Sequence, residues 1–188
     1  MEGIQLHLGI GMFFHKLNEK FVIDYYNKKN KQIEYGMDSP IGFKGMQYWD
    51  VHTTNDEDLL QVIPRNYRDE CKFSLMEVNH EIPAHSYGEG EVVIDFYIAT
   101  DQCITQFYYP IQDNTESEGA VFYDGYLKKG RRFMAKPGDA YLLDTSKPYA
   151  IIPTKPGIVN RRCLSLHIPS KTFAEAVEML KSTDYIDD

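Results

Sequence analysis

The sequence predicts a mainly β fold, a sandwich, jelly roll or barrel with a few peripheral helices. Three observations carry this. Eight short strand-type runs follow one another between Phe73 and Ile168 with no long helical pattern between them, which excludes a parallel sheet built from strand–helix–strand units. Clusters of turn-forming residues separate these runs: YGEG, QDNTES, KPGD, TSKP and TKPGI. The aromatic content, 14 Tyr, 10 Phe and one Trp in 188 residues, leans toward side chains that suit a pleated surface.

Residues 1–45 alternate apolar runs with polar, Gly-containing stretches. Their one helical signal follows Asn18, a suitable cap, with Phe21, Val22 and Tyr25 on one face, so a helix is expected over 18–28. A second short helix is expected over 54–61, where Asn55 precedes Asp56, Glu57 and Asp58, acids that suit the positive end of a helix dipole. The strand runs are 73–78, 91–98, 104–111, 119–125, 131–135, 140–144, 150–153 and 161–168. A last helix is expected over 170–181, capped by Ser170, with Phe173, Ala176, Val177 and Leu180 forming the stripe that covers one sheet face. The closing TDYIDD reads as a solvated acidic tip. The length suits a single domain over 1–188: a mixed α/β support over 1–70, a core over 71–168, and the helix with its acidic tail over 169–188.

Lys and Arg total 20 against 28 Asp and Glu, a net charge of -8, which argues against a surface built to neutralise nucleic-acid phosphates. No apolar run approaches the ~20 residues that span a bilayer, and the start of the chain lacks the pattern of a secretory signal, so a cytoplasmic protein without nucleic-acid or membrane partners is expected. Cys71, Cys103 and Cys163 are odd in number and widely spaced, and each lies beside apolar or β-branched residues, so they read as buried, reduced thiols.

Among His7, His15, His52, His80, His85 and His167 there is no HxH or HExxH pair, so spacing alone finds no metal site. The informative segments are EIPAHSYGEGEVVIDFYI, where His85 precedes a Gly-rich turn into an apolar strand, and FMAKPGDAYLLDTSKPYAIIPTKPGIVNRRCLSLHI. In the second, a Pro-Gly-Asp turn starts a strand, a Lys-Pro turn ends it, and a basic pair opens the next.

In order and spacing these segments resemble those of small 2-oxoglutarate/Fe(II)-dependent oxygenases, in particular short phage and bacterial members, over roughly residues 70–168. The Pro-Gly-Asp turn is shared with cupins. The resemblance implies a double-stranded β-helix (jelly roll) and an iron held by two histidines and a carboxylate. Mapped residue by residue, His85 matches the first ligand and is the one metal-ligand position retained. Tyr87 stands at the carboxylate position and Tyr149 at that of the second histidine. Arg162 matches the arginine that grips the cosubstrate's distal carboxylate, with Ser165 close behind; Arg161 takes that role if the strand register shifts by one. A phenol titrating near ~10 is a poor substitute for either missing ligand, so the triad is expected to be broken.

Each position also has an ordinary structural reading. His85 would be a hydrogen-bonding residue at the barrel mouth, Tyr87 and Tyr149 rim tyrosines, and Arg162 an outward arginine paired to a surface acid. His80, Asp95 and His167 offer a rearranged metal set, while Glu89 and Glu91 suit solvent.

The functional expectation is therefore an oxygenase-like protein without a competent iron site, with no catalytic residues assigned. It would bind a small carboxylate-bearing molecule or a protein partner through His85, Tyr87, Tyr149, Arg162 and Ser165, with no cofactor. The first alternative is an active dioxygenase using Fe(II) and 2-oxoglutarate with a displaced acid, Glu89 or Asp95. The second is a metal-free sugar isomerase or epimerase with a His85/Tyr149 base and acid. A virion or assembly component is a further reading for which no residue speaks.

Overall fold

The molecule, a computed structural model, is described over residues 12–21, 35–38, 46–51, 57–87, 91–100, 103–110, 116–117, 120–123, 125–155 and 159–187. Its strands in chain order are β1 (Phe14–Lys16), β2 (Tyr35–Asp38), β3 (Met46–Val51), β4 (Lys72–Val78), β5 (Ile82–Tyr87), β6 (Val92–Thr100) and β7 (Cys103–Pro110). There follow β8 (Glu116–Ser117), β9 (Ala120–Phe122), β10 (Leu127–Phe133), β11 (Ala140–Asp144), β12 (Tyr149–Pro153) and β13 (Arg161–His167). The helices are α1 (Glu57–Leu60), a 3-10 turn over Arg65–Glu70, and α2 (Phe173–Lys181).

Two antiparallel sheets divide these strands, in the orders β1-β11-β6-β13-β4-β3-β2 and β10-β7-β12-β5-β9-β8. Within them, β4-β13-β6-β11 and β5-β12-β7-β10 pair early strands with late ones, as when a long hairpin is wound into a roll. That winding defines a jelly roll, the fold class the turn spacing predicted.

Alternation along each strand sorts side chains between the two sides of the seven-stranded sheet. Leu75, Ile94, Phe96, Leu142, Leu164 and Leu166 share one buried cluster with Ala176, Met179 and Leu180 of α2. Met76, Val93, Tyr97, Tyr141, Leu143 and Cys163 share a second with Phe107, Tyr149 and Ile151 of the other sheet. The first cluster is the helix-covered outer face and the second is the interior of the roll. All three cysteines are buried free thiols.

Several expected elements move. Pro83 hid β5, yet the β5/β12 register passes from Tyr149↔His85 to Ile151↔Ile82, so one extra residue of β5 bulges where the proline lies. β10 starts at Leu127 rather than 131, because pairing with β7 carries Lys128 and Lys129 into the ladder despite their weak strand preference. Residues 18–21 are not helical; Asn18 Nδ2 donates instead to Asp187 Oδ1 at 2.8 Å. The rest of that expected helix, and 54–56 of the next, lie outside the described residues.

α2 begins later than expected, since Thr172 rather than Ser170 caps it, in a reciprocal capping box with Glu175. Ser170 takes φ 58° in the preceding turn. The chain end is not a solvated tip: Ile186 is buried, and Tyr185 stacks on Phe21 at 6.2 Å.

The Pro-Gly-Asp signal is read correctly. Gly138 has φ +87°, and Asp139 N–H donates to the Lys136 carbonyl at 3.0 Å, a tight turn with proline first and a positive-φ glycine second. A Cβ on Gly138 would stand 3.0 Å from the Phe21 carbonyl oxygen, so the turn also lets the chain at Phe21 come close.

Candidate functional site

The residues singled out in sequence come together, with one exchange. On β5, His85 lies directly across from Tyr149 of β12 on one side and Phe122 of β9 on the other, and Tyr149 faces Phe107 of β7. Four rings thus form a row across the smaller sheet. His85 stands 4.5 Å from Tyr149 and 6.0 Å from Phe122 by ring centroids, and Tyr149 stands 5.5 Å from Phe107. Tyr87 meets the His85 ring edge-on at 5.6 Å and hydrogen-bonds Tyr149.

Three of the four rings are closed to solvent, His85 at 0% exposure, Phe107 at 0% and Tyr149 at 3%, while Phe122 at the end of the row is half-buried. The Pro83 carbonyl, 2.9 Å from His85 Nδ1, can only accept, which puts the ring proton on Nδ1 and makes Nε2 the acceptor nitrogen. Burial pushes the imidazole down to about 4, with the Arg161 charge adding to the effect and the Pro83 bond opposing it. Burial also holds the Tyr149 phenol well above its usual value, reinforced by Tyr87 and Asp95. At neutral pH both groups are uncharged.

The expectation for Arg162 is corrected. Arg162 lies on the other side of β13, half-buried, with Nε 2.6 Å from Glu77 Oε1, the outward ion pair that was its ordinary reading. Arg161 points inward instead. Its Nη1 donates to Thr105 Oγ1 at 2.7 Å, and its Nη2 donates to Tyr97 Oη at 2.6 Å and to Asp95 Oδ2 at 3.3 Å. The guanidinium also lies 4.8 Å from the Tyr97 ring centroid. Alternation along β13 explains the exchange: Arg161, Cys163 and Ser165 share the interior side in a ladder that runs against β4 without a shift, which leaves Arg162 outside; the extra residue in the β13/β6 ladder, Ile98, belongs to β6.

Ser165 faces inward as expected, but its hydroxyl donates to Asp95 Oδ1 at 2.6 Å. Asp95 therefore receives Ser165 on one oxygen and Arg161 and Tyr97 on the other, the latter at 3.4 Å. Sequence reasoning undervalued Asp95 and missed Tyr97, Thr105 and Phe107. The signal for Asp95 was present: a carboxylate inside the run VVIDFYI, on the same side as Val93 and Tyr97, needs a buried cation.

The rearranged metal set does not assemble. His80 is exposed, with Nδ1 2.7 Å from Asn79 Oδ1, and His167 Nε2 lies 2.8 Å from Ser74 Oγ. Among the described residues, no three His, Cys, Asp or Glu side chains are gathered to hold a metal ion. Glu91 is exposed, while Glu89, His7 and His52 lie outside the described residues.

The ring row tests whether Fe(II) fits. His85 Nε2 is a competent neutral donor, but the positions beside it are two phenols, Tyr87 and Tyr149, the second held protonated by burial, and the nearby carboxylate is committed to Arg161. This donor set does not fit Fe(II).

No protein-family model and no curated protein sequence matches the chain. Among solved structures it is similar to the vicilin of Corylus avellana (hazelnut), at 12% identity and a TM-score of 0.40 over 72% of this chain and 30% of that one. It is also similar to the vicilin of Capsicum annuum, at 12% identity and a TM-score of 0.45 over 82% and 44% of the two chains. A third similarity is to ectoine synthase from P. lautus, at 12% identity and a TM-score of 0.40 over 73% and 74%. The chain thus spans less than half the length of either vicilin. The strand order itself defines the class, a jelly roll. Among the described residues no helix is long and apolar enough to cross a membrane.

Proposed function

We propose that this chain is a binding protein built on a cupin-type jelly roll, related in framework to 2-oxoglutarate oxygenases but without their iron chemistry. The observation that carries the reading is the Tyr149 phenol lying directly across from His85 in a buried ring row. Where an open iron needs a second imidazole and a carboxylate, this interior packs an aromatic ring at contact distance and keeps its hydroxyl protonated. Arg161 supports the same reading. The guanidinium suited to a ligand carboxylate is already neutralised by Asp95 and capped by Thr105 and Tyr97.

An active dioxygenase with Asp95 as displaced ligand is disfavoured because Asp95 would have to leave a buried cation uncompensated. A metal-free isomerase is disfavoured because a base titrating at about 4 and a phenol held well above its usual value are both poorly matched to proton transfer near neutrality. Of the two partner classes, the burial of His85, Tyr149 and Arg161 and the bonding of Arg161 to Asp95, Thr105 and Tyr97 favour a protein bound at the surface over a small carboxylate bound inside.

The test is anaerobic titration with Fe(II), Mn(II) and Ni(II), followed by assay of succinate formation from 2-oxoglutarate. No stoichiometric metal binding and no succinate are expected. Stoichiometric Fe(II) binding with succinate production would overturn the proposal.

A further inference from the structure

β1 is one edge of the larger sheet and β10 one edge of the smaller, and contact between their rings places them on the same side of the roll. Rings close the gap between them: Phe14 lies 4.6 Å from Phe133, and Phe13 packs so tightly over the β10 bulge that a Cβ on Gly130 would stand 2.8 Å from its ring. Over this aromatic seam the sequence turns strongly basic. The stretch LKKGRRFMAKPG carries Lys128, Lys129, Arg131, Arg132 and Lys136 and no acid, in a chain whose net charge is -8. All five are exposed. Among the described residues none of the four cations on β10 has an ion-pair partner; Lys128 and Arg131 lie over the rings of Tyr109 and Phe14 at 5.9 and 5.2 Å.

The same strip holds the exposed apolar side chains. Among the described residues the exposed large hydrophobics are Met12, Tyr126 and Met134, at 46%, 77% and 50% exposure. Met12 lies just before β1, and Tyr126 and Met134 bracket β10. Arginine, methionine and tyrosine are the residues that distinguish protein-recognition surfaces from ordinary surface.

We infer that the β1/β10 seam is a docking surface for an acidic protein segment that carries apolar residues among its acids. Charge complementarity selects this occupant. A second copy docking face to face through the strip would set one row of cations against its twin. A nucleic acid would meet the cations but also the acidic excess of the rest of the chain. Addition of a strand to the β10 edge is opposed by the bulge between Lys129 and Arg132, where Gln106 Nε2 already donates to the Gly130 and Arg131 carbonyls at 3.2 and 3.3 Å. Recognition therefore falls to side chains, over the about 23 Å that seven strand residues span. This inference rests on the proposed binding role and names the partner class it requires; the seam's Phe13 and Phe14 stack on Phe107 at the end of the ring row, while its cations lie outside, on the surface.

The test is fluorescence anisotropy with a labelled peptide of three Asp-Leu-Glu-Tyr repeats, at low salt and with EDTA present, so that metal binding at the interior cannot affect the result. Saturable binding is expected, weakened about tenfold by the double change Lys129→Glu with Arg132→Glu, and several-fold by Tyr126→Ser with Met134→Ser. All four side chains are exposed or at the edge, so melting temperature checks that the variants stay folded. An oligo-glutamate peptide is expected to bind more weakly than the mixed peptide. Absence of saturable binding, retention of full affinity by Lys129→Glu/Arg132→Glu, or tighter binding to single-stranded oligothymidine or to anionic vesicles would each overturn the inference. Failure here leaves the metal titration untouched, and iron binding there would leave this result standing.

Discussion

His85 and Tyr149 are register partners on neighbouring strands, with ring centroids 4.5 Å apart inside the roll. The pairing sets a neutral imidazole against a neutral phenol, both closed to bulk solvent. It also gives the interior a definite response to acid.

The stability of the fold falls as pH drops from 6.5 toward about 4. Buried His85 titrates near 4 in the folded chain and near 6.5 in the unfolded one, so between these values the unfolded state binds the proton first. Its contribution is full above 6.5 and decreases through the window by up to ~1.4 kcal/mol per pH unit, about 3 kcal/mol in all. Urea denaturation at several pH values should show this slope, and His85→Phe, which keeps a ring in the row, should flatten it.

Removing the internal counterion should be costly and rescuable. Asp95→Ala leaves Arg161 buried at 2% exposure without its carboxylate, a change that typically costs ~3 to 5 kcal/mol. Added formate or acetate should raise the melting temperature of this variant and leave the natural chain unmoved. A melting temperature equal to that of the unmodified protein would mean that the Asp95–Arg161 pair has little structural weight.

Restoring the missing ligands should restore metal affinity but not cosubstrate affinity. The double change Tyr87→Asp with Tyr149→His places a carboxylate and an imidazole beside His85 and should give measurable Fe(II) or Ni(II) binding by calorimetry. Binding of 2-oxoglutarate should still require loss of Asp95, which holds the guanidinium.

Gly138→Ala should destabilise the protein by ~1 to 3 kcal/mol, because φ +87° is strained for any residue with a Cβ and the new carbon would press on Phe21. Thermal unfolding measures it. An unchanged melting temperature would argue that the turn can flip without cost.

The sequence by itself determined the class of the fold, because strand length and turn chemistry are local: Pro137-Gly138-Asp139 can form little else, and YLL must be buried on both faces. The resemblance to the oxygenase segments also set His85 and Tyr149 at two ligand positions of one site, and they are register partners on neighbouring strands. Tertiary structure decided what spacing cannot carry. The seating of β13 with Cys163 and Ser165 toward the interior turned Arg161 inward and left Arg162 to Glu77, because side chains alternate between the two faces of a strand. The bulge at Pro83 allowed a strand where the local signal read as loop. The partner of Asp95 is 66 positions away in the chain, and a buried charge declares in sequence only that it needs a partner, whereas the winding of the roll chooses which one.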